Sequence, residues 1–135
     1  MSLVPQVGIG VIILKNNKVL LGKRKNTHGN GHWGFAGGHL EFLESPEDCA
    51  VRETTEEAGI KISNPRVVAY TNDIFKNEDK HYITFYVLAD HSEGEPSIQE
   101  TDKCDEWQWF EWESLPRPLF LPIKNLLEQG YHPLQ

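Results

Sequence analysis

Residues 37–60, GGHLEFLESPEDCAVRETTEEAGI, decide the fold because they join the pair Gly37-Gly38 to strong helix signals. Ser45 can cap free helical amides, Pro46 suits the first helical position, and the acids that follow favour the first turn. Gly59 ends the helix, because glycine readily adopts the left-handed conformation that follows a last turn. The sequence therefore predicts a loop–helix–loop whose helix runs from about Pro46 to Ala58.

Three glutamates share one face of this predicted helix. Glu53, Glu56 and Glu57 stand three and four residues apart, a spacing that puts their carboxylates on the same side. Clustered carboxylates are ligands that hard cations such as Mg²⁺ prefer, together with waters and substrate phosphates. Taken alone, the pattern is more often a solvated acidic helix surface. The opposite stripe is apolar or small and is expected to face a sheet: Val51, Thr54 and Ala58.

The residues around this helix resemble the Nudix box, whose pattern is G-x5-E-x7-R-E-U-x-E-E-x-G-U with U a bulky apolar residue. Gly38 and Glu44 precede the helix at the spacing of the pattern, and RETTEEAGI at residues 52–60 supplies the other fixed positions. Thr54 departs from the pattern by replacing an aliphatic residue, which weakens one packing contact. Ala36 stands where many members have proline, which is expected to loosen the loop.

The resemblance implies a metal site and assigns its ligands. The Gly37 carbonyl, Glu53, Glu56 and Glu57 match positions that hold the metal ions, for which we expect Mg²⁺ with Mn²⁺ as a substitute. Such ions stabilise charge on phosphate oxygens and lower the pKa of a bound water. The resemblance therefore implies metal-assisted hydrolysis of a diphosphate linkage.

The resemblance also implies the catalytic and structural residues. Arg52 matches the residue that orients a neighbouring glutamate, and Glu57 belongs to both the metal-binding and the catalytic set. The family's general base is not fixed, so Glu53 and the later-loop acid Glu100 both stay open. Glu44 matches a residue that supports the loop, by structural hydrogen bonds or through a metal-bound water, and Gly59 ends the helix.

The remaining segments predict an α/β (α+β) domain. Apolar runs at residues 6–14 and 19–24, joined by a polar Asn-Asn turn, are typical of a β-hairpin. Further strands are expected at 33–36, 67–71, 82–89 and 107–112, a polar loop at 91–103 and a second helix at 122–129. The order and the resemblance together imply the Nudix fold, a mixed sheet sandwiched between helices, in one domain over residues 1–135.

Segments outside the box resemble the MutT-related nucleoside triphosphate diphosphatases, in the branch known for guanine and thioguanine nucleotides. These segments include LGKRK at 21–25, HYIT at 81–84 and EQGY at 128–131. The resemblance implies the reaction (d)NTP + H₂O → (d)NMP + diphosphate, with guanine-type or oxidised nucleotides as candidates. Six residues are expected to contact the substrate: Arg24, Phe35, Gly38, Thr84, Phe120 and Leu121. Each of the aromatic and aliphatic ones is equally typical of a core residue.

The charge and composition of the chain limit the classes of partner that we expect. The chain has 135 residues and a formal net charge of -7, so a general nucleic-acid binder is not expected. The basic run at residues 23–25, followed by His28, predicts a local positive patch for a triphosphate. No apolar run approaches the roughly 20 residues of a membrane helix, and residues 1–5 lack a signal-peptide pattern. We therefore expect a cytoplasmic protein with reduced cysteines that acts on a small nucleotide, without a membrane or nucleic acid. The resemblance to the MutT-related branch further implies a homodimer.

Two alternatives stay open. The first is an ADP-ribose or nucleotide-sugar diphosphatase, although Pro65 lies only six residues after Gly59 and fits that subgroup poorly. The second is a nucleotide-binding regulatory module with an inactive box. The intact Arg52, Glu53 and Glu57 argue against it, because a binding module need not keep all of the metal-binding carboxylates.

Overall fold

A tight hairpin starts the fold, as the sequence predicts. The computed structural model describes residues 3–135. Met1 and Ser2, which belong to the segment expected to lack a signal-peptide pattern, lie outside the described residues. Strand β1 (Gln6–Lys15) pairs antiparallel with β2 (Lys18–Arg24). Asn16 and Asn17 between them both have positive φ, which matches the right-handed twist of a two-residue hairpin turn.

The strands that follow the hairpin are β3 (Trp33–Gly34), β4 (Ala36–His39), β5 (Lys61–Phe75), β6 (Lys80–Glu93) and β7 (Cys104–Glu111). Within residues 3–135 the strands form one mixed sheet of seven, in the order β3-β2-β1-β6-β5, with β4 on β1 and β7 on β2. Strands β1 and β6 run parallel, with Gly8 opposite Thr84. The other pairs of these strands are antiparallel.

One helix packs on each face of the sheet, so the predicted sandwich is confirmed. Helix α1 (Pro46–Ala58) contributes Cys49, Ala50 and Ala58 to one buried cluster. Helix α2 (Leu121–Glu128) contributes Ile123 and Leu126 to the cluster on the other face. Both helices lie within one residue of their predicted bounds at each end. Apolar burial on two faces of the same sheet therefore fixes where α1 can lie.

Three local predictions differ from the structure. Val51 is 41% exposed and does not face the sheet, because the buried stripe of α1 runs through Ala50, Thr54 and Ala58 instead. The fifth strand spans 15 residues rather than five, since it pairs with β6 along nearly its whole length through several register shifts. Pro65 is tolerated there because β5 is an edge strand. Strand β6 likewise extends into the predicted loop, as far as Glu93.

Within residues 3–135, neither helix is long and apolar enough to span a bilayer.

Candidate active site

The loop–helix–loop forms with the predicted caps. The Ser45 hydroxyl accepts a hydrogen bond from the Asp48 amide at 3.1 Å, and Pro46 occupies the first turn. Gly59 adopts φ 69° and donates its amide to the Thr55 carbonyl at 3.1 Å. Strand β4, which carries Gly37 and Gly38, pairs with β1 and packs against α1.

Arg52 joins the loop to the helix through a bidentate ion pair with Glu44. Its Nε lies 2.7 Å from one Glu44 oxygen and its Nη2 lies 3.0 Å from the other. These hydrogen bonds lower the pKa of Glu44 to about 2, so the pair stays charged at neutral pH. Arg52 also contacts the Glu53 carboxylate, and its Nη1 lies 3.3 Å from Glu56. The arginine therefore orients Glu53 and ties it to the loop at the same time.

Glu53 and Glu57 lie against the backbone of Gly37 and Gly38, which belong to strand β4. Glu57 accepts a hydrogen bond from the Gly37 amide at 2.8 Å. A β-carbon placed on Gly38 would stand 2.0 Å from a Glu53 oxygen. Only a residue without a side chain leaves room for that carboxylate, which explains glycine at position 38.

Burial perturbs both carboxylates. It raises the pKa of Glu53 to about 7, although Arg52 opposes the shift. It raises the pKa of Glu57 to about 8, where the Gly37 amide opposes it and the charges of Glu53 and Glu100 add to it. Removal from water disfavours the ionised form of an acid, and neighbouring negative charges do the same. The acidic cluster therefore lacks part of the positive charge that would balance it.

Glu100 reaches this cluster through a docked loop. The Ser97 amide donates to the Ala58 carbonyl at 2.9 Å, and the Gln99 amide donates to the Glu57 carbonyl at 3.4 Å. These bonds satisfy free carbonyls at the end of α1, which otherwise have no intrahelical partner. They bring Glu100 to the cavity edge, where its charge acts on Glu57.

The acidic cluster is suited to a divalent cation but does not form a closed cage. Within residues 3–135, no three acidic, histidine or cysteine side chains surround one point closely enough to hold a metal ion. Mg²⁺ is usually held by one or two carboxylates, with waters and substrate phosphates completing its shell. The crowded oxygens against Gly38 therefore fit such an ion.

A cavity of about 470 Å³ joins the acidic cluster to an aromatic region. Arg24 stands between them, with its guanidinium carbon 4.0 Å from the centre of the Phe120 ring. Burial lowers the pKa of Arg24, and Glu57 is the strongest of the acids that oppose this shift. The predicted site residues that line the cavity are Arg24, Phe35, Gly37, Gly38, Arg52, Glu53, Glu56, Glu57, Thr84, Glu100 and Phe120.

Three predicted site residues lie outside the cavity lining. Glu44 and Gly59 hold the loop and the helix end, which agrees with their expected structural roles. Leu121 was expected to contact the substrate, but its neighbours Phe120, Pro122 and Ile123 line the cavity instead. Leu121 begins α2 and is half-buried outside that lining.

His28 also differs from its expected place in an open basic patch. Its side chain is 10% exposed, contacts the Glu78 carboxylate and lies 4.0 Å from Phe75, measured between ring centres. Burial lowers the pKa of His28, so the imidazole does not add a strong positive charge. His28 still lines the cavity, and so do the cations Arg24, Arg52 and Lys103.

Sequence reasoning missed several residues that shape the cavity. Phe75 and Tyr82 line its aromatic end, with ring centres 6.1 Å apart. The indole nitrogen of Trp107 donates to the Glu57 carbonyl at 3.2 Å, so this tryptophan supports the end of α1. The alternation of apolar residues in β5 and β6 was the only available signal for the first two, and it does not distinguish a cavity wall from a core.

Comparison with known proteins identifies the family. A sequence model described as the NUDIX domain matches residues 4–129. The chain is 31% identical over 106 residues to an oxidized purine nucleoside triphosphate hydrolase of Mus musculus, covering 78% of this chain and 66% of that protein. It is 31% identical over 116 residues to an ADP-ribose pyrophosphatase of Methanocaldococcus jannaschii, covering 86% and 68%. The chain thus spans about two thirds of the length of these curated relatives.

A solved structure supports the same assignment. The crystal structure of a MutT NUDIX hydrolase from Burkholderia pseudomallei superimposes with a TM-score of 0.86 at 33% sequence identity. The alignment covers 94% of this chain and 98% of that one. The shared fold, the carboxylate arrangement around Gly38 and the match over residues 4–129 lead to one conclusion: the chain belongs to the NUDIX domain family.

Proposed function

We propose that this protein hydrolyses a nucleoside triphosphate to the monophosphate and diphosphate with the help of Mg²⁺, which Mn²⁺ can replace. One observation carries the proposal: a single cavity has carboxylates at one end and aromatic side chains at the other. Phosphates need cations, and a flat base needs apolar faces with a few polar groups at its edge. A cytoplasmic location would supply both the nucleotide and the ion.

The residues divide the work along the cavity. Glu53, Glu56 and Glu57, with the Gly37 carbonyl, would hold the divalent ion, which would offset phosphate charge and lower the pKa of a bound water. Arg24 lies between the two ends of the cavity and contacts the phosphates or the nucleotide beside them. The aromatic end takes the base.

We propose Glu100 rather than Glu53 as the general base. Among the described residues, the Glu100 carboxylate has no hydrogen-bond or ion-pair partner, whereas Glu53 is engaged by Arg52. A general base needs a free oxygen within reach of the water that loses its proton. Glu100→Gln should therefore lower kcat about 100-fold at unchanged Mg²⁺ requirement, a typical size for this type of catalysis. Glu53→Gln should instead raise the Mg²⁺ concentration needed for half-maximal rate.

The activity is tested with a nucleotide panel of dGTP, dCTP, 8-oxo-dGTP and ADP-ribose, scored by kcat/KM with Mg²⁺. Glu57→Gln is the inactive variant, and Asp48→Asn is the matched control because Asp48 is an exposed acid on the same helix outside the cavity. Orthophosphate that appears only after added pyrophosphatase identifies diphosphate as the product. If wild type and Glu57→Gln are equally inert on the whole panel, the binding-module alternative is favoured.

A second candidate is ADP-ribose hydrolysis, which the similarity to the Methanocaldococcus jannaschii relative favours. The same panel separates the two, because ADP-ribose would yield AMP and ribose phosphate without diphosphate. A kcat/KM for ADP-ribose above that for every triphosphate would replace the first proposal with this one.

A further inference from the structure

A buried carboxylate lies directly behind the aromatic end of the cavity. Asp73 on β5 is fully buried, at 0% exposure. It accepts hydrogen bonds from the hydroxyls of Thr71 at 3.0 Å and Thr84 at 2.6 Å, and from the Asn125 amide at 2.9 Å. No lysine, arginine or histidine within residues 3–135 forms an ion pair with it. Burying an acid with neutral partners alone is costly, so it calls for a reason.

The hydrogen bonds around Asp73 fix the direction of each hydroxyl proton. A carboxylate only accepts hydrogen bonds, and a threonine hydroxyl has one proton to donate. Thr71 and Thr84 therefore both direct their protons toward Asp73. The Tyr86 hydroxyl lies 3.3 Å from the Thr71 oxygen, and it must be the donor because the Thr71 proton is already committed. Thr84 and Tyr86 are left with lone pairs only.

The Thr84 oxygen lies beside the cavity. Thr84 and Tyr86 both line the cavity from β6, but Thr84 keeps 7% exposure whereas Tyr86 keeps only 1%. Glycines on the neighbouring strand leave the space open: a β-carbon at Gly8 would lie 3.6 Å from the Thr84 oxygen, and one at Gly10 would lie 3.0 Å from the Tyr86 ring. A ligand that reaches this floor of the cavity meets a Thr84 oxygen that can accept a hydrogen bond but cannot donate one.

We propose that Asp73 is a positioning residue that makes the cavity floor select a nucleobase with an amino group at the edge that enters. The inference rests on the proposed nucleotide hydrolysis and adds its base preference. An amino N–H donates to the Thr84 oxygen, whereas a keto oxygen there would place lone pair against lone pair. A site built to bond a substrate N–H rejects the analogue that lacks it, because its own polar group is then left unpaired.

The test compares nucleotides that differ by one amino group. The pairs are dGTP with dITP, and dATP with the 2′-deoxyribosyl purine triphosphate. For each pair, kcat/KM is measured for the triphosphates, and the Kd of the matching monophosphates is measured by calorimetry. We expect wild type to prefer the amino-bearing member of at least one pair by tenfold or more. Ratios near one in both pairs, by both measurements, would overturn the proposal.

The variants test whether Asp73 acts through Thr84. Asp73→Asn is nearly isosteric, and its amide can donate to Thr84 and release the threonine proton toward the cavity. We expect the ratio to fall to within about threefold of one. Thr84→Val should abolish the preference in the same way, whereas Thr84→Ser, which keeps the hydroxyl, should show the preference of the wild type. A ratio that survives both Asp73→Asn and Thr84→Val would overturn the proposal.

Two further measurements separate a folding defect and a failed function from this inference. If Asp73→Asn does not fold, Gly8→Ala takes its place, since its methyl group would shield the Thr84 oxygen at ordinary contact distance and leave Asp73 untouched. We expect Gly8→Ala to reduce the ratio, and an unchanged ratio contradicts the proposal. If no triphosphate is hydrolysed but the Kd ratios behave as expected, the proposed reaction fails and the base preference stands.

Discussion

Replacing Gly38 with alanine should remove activity without removing stability. The new β-carbon would lie 2.0 Å from a Glu53 oxygen and 2.6 Å from its carboxyl carbon. Both atoms belong to the far end of a flexible side chain, so the backbone can stay in place while the carboxylate retreats. Ordinary contact begins at 3.4 Å, so the carboxylate oxygen must move by about 1.4 Å.

That displacement sets the expected size of the effect. A misplacement of about 1 Å in a catalytic group can cost about 100-fold in rate. We therefore expect kcat of Gly38→Ala to fall at least about 100-fold, which corresponds to roughly 2.7 kcal/mol of transition-state stabilisation. Folding stability should hold or rise by about 0.4–1 kcal/mol, because alanine restricts the unfolded chain more than glycine does and Gly38 does not have a left-handed φ.

The matched control is Gly130→Ala, which should show the opposite combination. Gly130 has φ 78° and nothing within 4 Å of an added β-carbon, so alanine meets open space in a strained backbone conformation. A left-handed alanine costs about 1–2 kcal/mol, so Tm should fall by several degrees at normal kcat. Assays of diphosphate release and thermal scans on both variants decide the matter. Full activity in Gly38→Ala would refute the placement of the Glu53 carboxylate against Gly38.

Three further predictions concern the same region. First, the raised pKa values of Glu53 and Glu57, about 7 and about 8, mean that the folded state binds these protons more tightly than the unfolded chain. Their contribution to stability is full below the unfolded pKa near 4.5 and is lost as pH rises through 7 to 8. Metal-free protein should thus lose Tm over this range, and added Mg²⁺ should raise Tm more at pH 8 than at pH 5.5; equal Mg²⁺ shifts at both pH values would contradict this. Second, Trp107→Phe removes the hydrogen bond to the Glu57 carbonyl and should cost about 1 kcal/mol in denaturant unfolding, against no change if that bond is absent in solution. Third, burial raises the pKa of the Cys49 thiol to about 12 and also raises that of Cys104, so iodoacetamide should label neither appreciably at pH 7.4 until the protein is unfolded; fast labelling of Cys49 seen by mass spectrometry would show that it is not buried.

Three features depend on where distant strands pack: the burial of the cysteine thiols, the length of β5 and the exposure of Val51. The alternation of residues 67–71 predicts a short strand, but β5 extends to 15 residues because β6 offers a partner along its length. A helical wheel places Val51 near the buried stripe, and only the position of the sheet decides that Ala50 faces it instead. Which packing forms depends on the difference in free energy between alternative tertiary arrangements, and a local sequence pattern does not determine that difference.

The sequence alone determined the loop–helix–loop and the shared face of Glu53, Glu56 and Glu57, because caps and helical periodicity act within a few residues. Tertiary structure decided what lies opposite that face. It brought Glu100 to the end of α1 through backbone hydrogen bonds, and it placed Asp73 behind Thr84 across two paired strands. Contacts between residues far apart in the chain form only when the whole sheet closes. The acidic end of the cavity was therefore predictable, whereas at its aromatic end Phe35, Thr84 and Phe120 were predicted and Phe75 and Tyr82 were not.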